Sequence, residues 1–211
     1  SLTFDVIYGI GPLQTAFSSE YVVQDDARVY VFWMQRFLDP DLLSHDLIAD
    51  YYQSVTPFGY ATLYRLIAAI GISPLVFSKL LPLGLGLVAT GYCFGVCMQI
   101  MPIPTASFIS TLLLNQSLWM QDDLISATPR AFVYPLFLAF LYYLLRQSLL
   151  PCLIAIALEG LFYPPFVLIF VGILILRLWH WEMGLPRLSQ NRSDYLFGAT
   201  GLGVALLVML P

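Results

Sequence analysis

Charge is what this chain has least of. Asp, Glu, Lys and Arg make up only 10% of its 211 residues, against 59% hydrophobic, where soluble proteins carry roughly 25% charged residues. A mean hydropathy of +0.81 points the same way, to a chain solvated mostly by lipid. Net charge is −4 with no basic patch, so no nucleic-acid partner is expected. Cysteine is scarce: Cys93, Cys97 and Cys152 all lie in apolar stretches and read as small buried hydrophobes, not a disulfide or metal framework. The two histidines, His45 and His180, stand apart, so neither makes a zinc site by spacing. His180 lies between Trp179 and Trp181, an arrangement suited to an interfacial aromatic belt. There is no glycine-rich phosphate loop, no Ser/His/Asp set and no signal peptide with a basic leader. A soluble nucleotide enzyme is excluded. The chain opens on Ser1 and closes on Pro211 directly after an apolar run; the expectation is an N-terminal piece of a longer membrane protein.

What is present is organised around Gln24 to Tyr60. Asp25 and Asp26 open this stretch, and Asp39, Asp41, Asp46 and Asp50 follow before the first long apolar run. Val29, Phe32, Trp33, Arg36 and Phe37 recur at three- and four-residue steps, which predicts an amphipathic aromatic helix over 27–38 at a membrane–water boundary. Asp39-Pro40-Asp41 stops it, Thr56-Pro57-Phe58-Gly59 makes a second turn, and 60–72 forms another short interfacial helix closed by Gly71. Upstream, Gly9-Ile10-Gly11-Pro12 interrupts residues 1–17, which read as the end of a first span.

The fold expected is all-α: a polytopic transmembrane bundle with a long external loop carrying short interfacial helices. Residues 1–74 hold the end of the first span and the loop, and 75–211 hold the bundle, with helices at 75–101, 105–120, 131–146, 149–163, 165–179 and 195–211. Gly84-x-Gly86 and Gly91-x-x-x-Gly95 offer small residues for close helix approach. Ser107, Ser110, Thr111, Asn115, Gln116 and Ser117 make the second helix polar, so it should face protein. Arg146 precedes the 149–178 segment, and Arg177, Arg187 and Arg192 follow it. Keeping both flanks in the cytoplasm requires two short passes joined near Pro164. Counting back puts 24–60 and 121–130 on the same non-cytoplasmic side, in a bacterial inner (plasma) membrane.

The candidate chemistry lies in those two loops. Two adjacent carboxylates can divide labour, one taking a proton from a nucleophile while the other orients the substrate or holds a divalent cation. Asp25 and Asp26 fit that role, and a Mg or Mn ion, if one is used, would fall on them. A second Gln-Asp-Asp recurs with Asp122 and Asp123; a solvated acidic loop explains either pair equally simply. Arg130 sits where a loop enters a span and suits a phosphate, though an arginine snorkelling to the interface looks the same in sequence. Glu159 lies within an apolar run, where a lone carboxylate is costly.

This arrangement resembles the GT-C superfamily of integral-membrane glycosyltransferases. The resemblance rests on Gln24-Asp25-Asp26-Ala27-Arg28 at the start of a long first external loop, the helices after it, and Asp122-Asp123 in a second external loop. It implies transfer of a sugar from a polyprenyl-phosphate donor to an acceptor on the outer face. Asp25 or Asp26 would act as general base, Arg28, Asp122, Asp123 and Glu159 would contribute to substrate binding, and Arg130 would neutralise the leaving phosphate. Its partners would be membrane lipid and the lipid-linked sugar. The Asp-Glu pair of the protein mannosyltransferases is absent. Two other readings stand beside it: a transporter or flippase-like protein using Glu159 and the polar 105–120 helix, and a membrane scaffold whose external loop binds a partner.

Overall fold

The computed structural model describes residues 1–19, 22–182 and 185–209, with backbone alone at 122, 180–182 and 185–186. The architecture is all-α apart from one small hairpin. Helix α1 (Leu2–Ala16) leads to α2 (Asp25–Val31), a 3₁₀ segment (Phe32–Phe37), α3 (Leu47–Val55) and α4 (Phe58–Ala69). The long helices α5 (Pro74–Ile100) and α6 (Pro104–Met120) follow, then the short α7 (Asp122–Ile125), α8 (Val133–Leu145), α9 (Leu149–Phe162), α10 (Val167–Leu176) and α11 (Arg192–Met209).

The bundle helices fall within a few residues of their expected bounds, and 149–178 divides into two helices around a 3₁₀ turn at Pro164–Phe166. One helix among the described residues, Pro74–Ile100, is long and apolar enough to cross a membrane; Pro129–Leu145, Leu149–Phe162 and Pro164–Leu176 are apolar but shorter.

Four local expectations change. The Gly9-Ile10-Gly11-Pro12 cluster does not break α1, which runs through it while packed on α5 and α6. The helix expected over 27–38 starts at Asp25, because the Gln24 side chain caps it by accepting from the amides of Asp26 (2.8 Å) and Ala27 (3.2 Å). It tightens to 3₁₀ at Phe32, which turns Trp33 and Met34 inward. Residues 47–55, left without an element by the sequence reading, form α3, capped by Asp46 through the amides of Ile48 (2.8 Å) and Ala49 (3.0 Å). Beyond α10 the chain pairs Trp179–Glu182 with Leu185–Leu188 as an antiparallel hairpin, His180 opposite Arg187. Neither strand holds a β-branched residue, and Trp179 and Trp181 suit an interfacial aromatic belt as well as a strand, so the sequence does not single out a hairpin. The side chain of His180 lies outside the described residues.

Two apolar clusters fill the interior. The first joins Val31, Trp33, Met34, Tyr60 and Tyr64 of the acidic stretch to Leu85 and Ala89 of α5, Trp119 of α6, and Leu124 and Phe132. The second packs α8, α9, α10 and α11 around Phe140, Ile156, Phe170 and Phe197. Phe132 stacks on Phe162 at 4.1 Å between ring centroids, so the first cluster runs on to the end of α9. Small residues set the helix spacing: a Cβ at Gly95 would come within 2.8 Å of the Tyr142 ring, and one at Gly86 within 2.7 Å of Asp5.

Candidate functional site

Asp25 and Asp26 sit in the first turn of α2 with Ala27 and Val31 forming its buried face, so both carboxylates are exposed. Asp25 pairs with Arg28 at 3.5 Å, its side chain 91% exposed; such a pair contributes little to stability. Arg28 also donates through Nε to the Val23 carbonyl at 3.0 Å. Asp26 lies close enough to Tyr30 to raise its phenol, although burial is the larger cause and Tyr52 the next.

The second loop is built more tightly. Asp123, its side chain 23% exposed, pairs with Arg130 Nη1 at 3.3 Å and accepts from the Tyr134 hydroxyl at 3.2 Å. Ser126 donates to the Asp123 carbonyl at 2.9 Å, which closes α7. The Asp122 side chain lies outside the described residues. Arg130 stands at the edge of a cleft of about 510 Å³ whose other walls are Leu114, Val133, Tyr134, Phe137, Leu138, Tyr163 and Phe166. Ligand sites commonly enclose about 300–1,000 Å³. This cleft is apolar and aromatic along its length and cationic at one end.

The two loops are joined through buried tyrosines. Tyr60 donates to the Ala127 carbonyl at 2.9 Å, and its ring lies 4.8 Å from that of Tyr64 and 6.2 Å from that of Phe132. Burial lifts both phenols above their ordinary value of 10.0. Tyr30 stands within electrostatic reach of Tyr163, which lines the aromatic cleft. No hydrogen bond or ion pair among the described residues links Asp25 or Asp26 to Asp123 or Arg130, and no residue of α2 lines the Arg130 cleft. The sequence-level candidates thus form two separate charged pairs, Asp25–Arg28 and Asp123–Arg130.

No group of three His, Cys, Asp or Glu side chains gathers to ligate a metal among the described residues. Glu159 is fully buried in α9, and neither of its oxygens has a hydrogen-bond partner. Along α6, Ser107, Thr111 and Asn115 form a buried stripe, while Ser110, Gln116 and Ser117 are exposed. That corrects the expectation that the whole polar set faces protein, because side chains at successive turns of one face are the ones that share a neighbour. The stripe mostly satisfies itself: Ser107 donates to the Ile103 carbonyl (3.2 Å) and Thr111 to that of Ser107 (2.7 Å).

Sequence reasoning missed two buried carboxylates, Asp5 and Asp194; Asp194 accepts from Arg177 at 2.7 Å and Ser189 at 2.6 Å. Asp5 of α1, wholly enclosed, accepts from Trp119 Nε1 at 2.8 Å, beside Thr90, whose hydroxyl donates to Asn115 at 2.7 Å. Its signal was a single carboxylate in an apolar segment, which is expensive unless the fold supplies a partner. Tyr30, Tyr134 and Tyr163 were also missed; nothing in spacing separates a cleft tyrosine from an interfacial one.

Compared with known proteins, the chain matches no family model, no curated protein and no solved structure.

Proposed function

We propose that this chain is a polytopic membrane glycosyltransferase of the GT-C type, moving a sugar from a polyprenyl-phosphate donor to an acceptor hydroxyl on the non-cytoplasmic face of a bacterial inner membrane. The observation that carries the reading is the Arg130–Asp123 pair beside an aromatic, apolar cleft that Arg130 lines. A long apolar tail suits the cleft walls, and guanidinium suits the phosphate.

The membrane part of the reading is supported by what lies outside. Large apolar side chains stay exposed along α1 (Leu2, Ile7), α5 (Leu80, Val88), α9 (Leu150, Ile154), α10 (Leu168, Leu176) and α11 (Leu206, Leu207), far beyond what water tolerates on a monomer. Asp5, Thr90, Asn115 and Glu159 are buried instead, the distribution expected when lipid is the solvent. At about 1.5 Å per residue, the 27-residue α5 is more than long enough for a hydrocarbon core of roughly 30 Å. The Tyr60–Ala127 bond supports a common side for the two polar loops.

In the reaction, Asp26 takes the acceptor's hydroxyl proton as the acceptor oxygen bonds to the anomeric carbon. The glycosidic bond to phosphate breaks, and its electron pair leaves with the polyprenyl phosphate, whose charge Arg130 neutralises. Asp123 holds Arg130 in place and is a positioning residue. Asp25 is paired with Arg28 instead.

The test is transfer of labelled sugar from a synthetic polyprenyl-phosphate donor by the protein in liposomes. Asp26→Asn and Arg130→Ala should each lower turnover at least 100-fold with unchanged melting, and full turnover in both would sink the reading. The buried, unpartnered Glu159 favours a second reading, a transporter. It requires flux that Glu159→Gln abolishes and Asp26→Asn spares.

A further inference from the structure

A second cavity, of about 390 Å³, opens beside α2. Its long walls are α1, through Gly9, Pro12, Leu13 and Ala16, and α5, through Pro82 and Leu83. Among the described residues, polar side chains line it at Thr15, Gln24, Ser78 and Lys79, with the Trp119 indole between. Ala27 of α2 closes one side. Gln24 and Ala27 thus line this cavity, next in sequence to the carboxylates of Asp25 and Asp26.

The cavity is a built feature. Pro12 and Pro82 are interior prolines of two packed helices, and both line it. Each ring lacks an N–H, so the carbonyls of Tyr8 and Ser78 lose their helical donors there. Backbone left this way at membrane depth is tolerated where it borders a cavity. The floor is fixed from below: Gly9 lies against Trp119, where a Cβ would approach the indole to 2.9 Å, and Trp119 is itself anchored to Asp5.

We infer that this cavity holds the apolar chain of a second amphiphile, so that the acceptor, like the donor, is lipid-anchored. This rests on the transferase reading above. The gradient along the wall gives the ligand's orientation: chain between Pro12, Pro82 and Trp119, hydroxyl-bearing head at Gln24 beside the carboxylates of α2. A soluble sugar or peptide acceptor would leave these apolar walls unfilled.

The probe is an alkyl glucoside with a diazirine in its tail, photolysed with the unaltered protein in nanodiscs of neutral phospholipid, and the labelled peptides are mapped. Labelling should concentrate on residues 9–16 and 78–83, saturate, and be competed by unlabelled glucoside. Ala16→Phe, which fills the cavity from α1, should cut it at least fivefold, and Arg130→Ala should leave it unchanged. Leu83→Trp fills the same space from α5 and replaces Ala16→Phe if that variant melts early. Labelling spread without saturation over α9, α10 and α11, or lost in Arg130→Ala but kept in both filled variants, would overturn the inference. The readout needs no turnover. Saturable labelling in a protein that transfers nothing sinks the transferase reading and with it the acceptor role, and transfer without such labelling sinks the cavity assignment alone.

Discussion

The hydroxyl of Tyr60 donates to the carbonyl of Ala127 at 2.9 Å, across 67 residues of sequence, and both residues are fully buried. This bond fastens the first polar stretch to the second. Ala127 has φ +52°, a conformation that turns its carbonyl toward α4 and that a non-glycine residue holds only when its surroundings insist. Tyr60→Phe leaves that carbonyl buried and unpaired, so unfolding stability should fall by about 1–3 kcal/mol. Thermal or denaturant unfolding of the purified protein checks this, and an unchanged midpoint would show the bond to be incidental.

The same pair of tyrosines sets a response to alkali. Burial raises the Tyr60 and Tyr64 phenols above their unfolded value of 10.0, so the folded state holds these protons more tightly than the unfolded state. The stability they contribute is complete below pH 10 and is lost as pH rises above it toward the folded values. The unfolding midpoint should drop over that alkaline range in the parent. In the Tyr60→Phe/Tyr64→Phe double variant the drop should be shallower, although the variant starts from a lower midpoint.

Arg36 is the clamp of the acidic 24–60 stretch. Its guanidinium donates to Asp50 (2.7 Å), Gln53 (2.8 Å) and the carbonyls of Leu42 (3.3 Å) and Leu43 (2.6 Å). It thereby holds a turn in which Leu43 and His45 both have positive φ. Asp50 is half exposed, so the ion pair itself is worth little; the fork that spans four acceptors is what lysine cannot copy. Arg36→Ala and Arg36→Lys should both speed hydrogen exchange and proteolysis over residues 38–46, with Lys only partly protective. Equal protection in Arg36→Lys would refute the geometric argument.

The four glycines of α5 should separate cleanly. Nothing lies within 4 Å of a Cβ built at Gly84 or Gly91, whereas Gly86 and Gly95 meet Asp5 and the Tyr142 ring. Gly84→Ala and Gly91→Ala should be neutral or stabilise by up to about 1 kcal/mol. Gly86→Ala and Gly95→Ala should destabilise by about 1–3 kcal/mol through overpacking. Melting of all four variants side by side decides it.

How far the sequence reaches differs between the bundle and the loops. Long apolar runs bounded by Met101-Pro102-Ile103-Pro104, by Arg146 and by Tyr163-Pro164-Pro165 gave helix ends to within a few residues, because proline and charge act locally. Gly9-Ile10-Gly11-Pro12 misled for the same reason: local propensity argues for a break, and packing of α1 on α5 and α6 overrides it. The glycine pairs illustrate the limit. Spacing marks all four as equivalent, and only the position of Asp5 and Tyr142 distinguishes them.

Composition alone determined that the chain is helical and apolar, because a scarcity of charge and long runs without polar residues leave few ways to satisfy the backbone. It also identified Asp123 and Arg130 as candidates, but it could not pair them. That pairing, the separation of Asp25 from it, the Tyr60–Ala127 bond and the linings of the two cavities were decided only by tertiary structure. Asp123 and Arg130 are seven residues apart, so the turn between them decides their meeting; the others depend on side chains far apart in sequence, and no periodicity along one segment carries the distance between two.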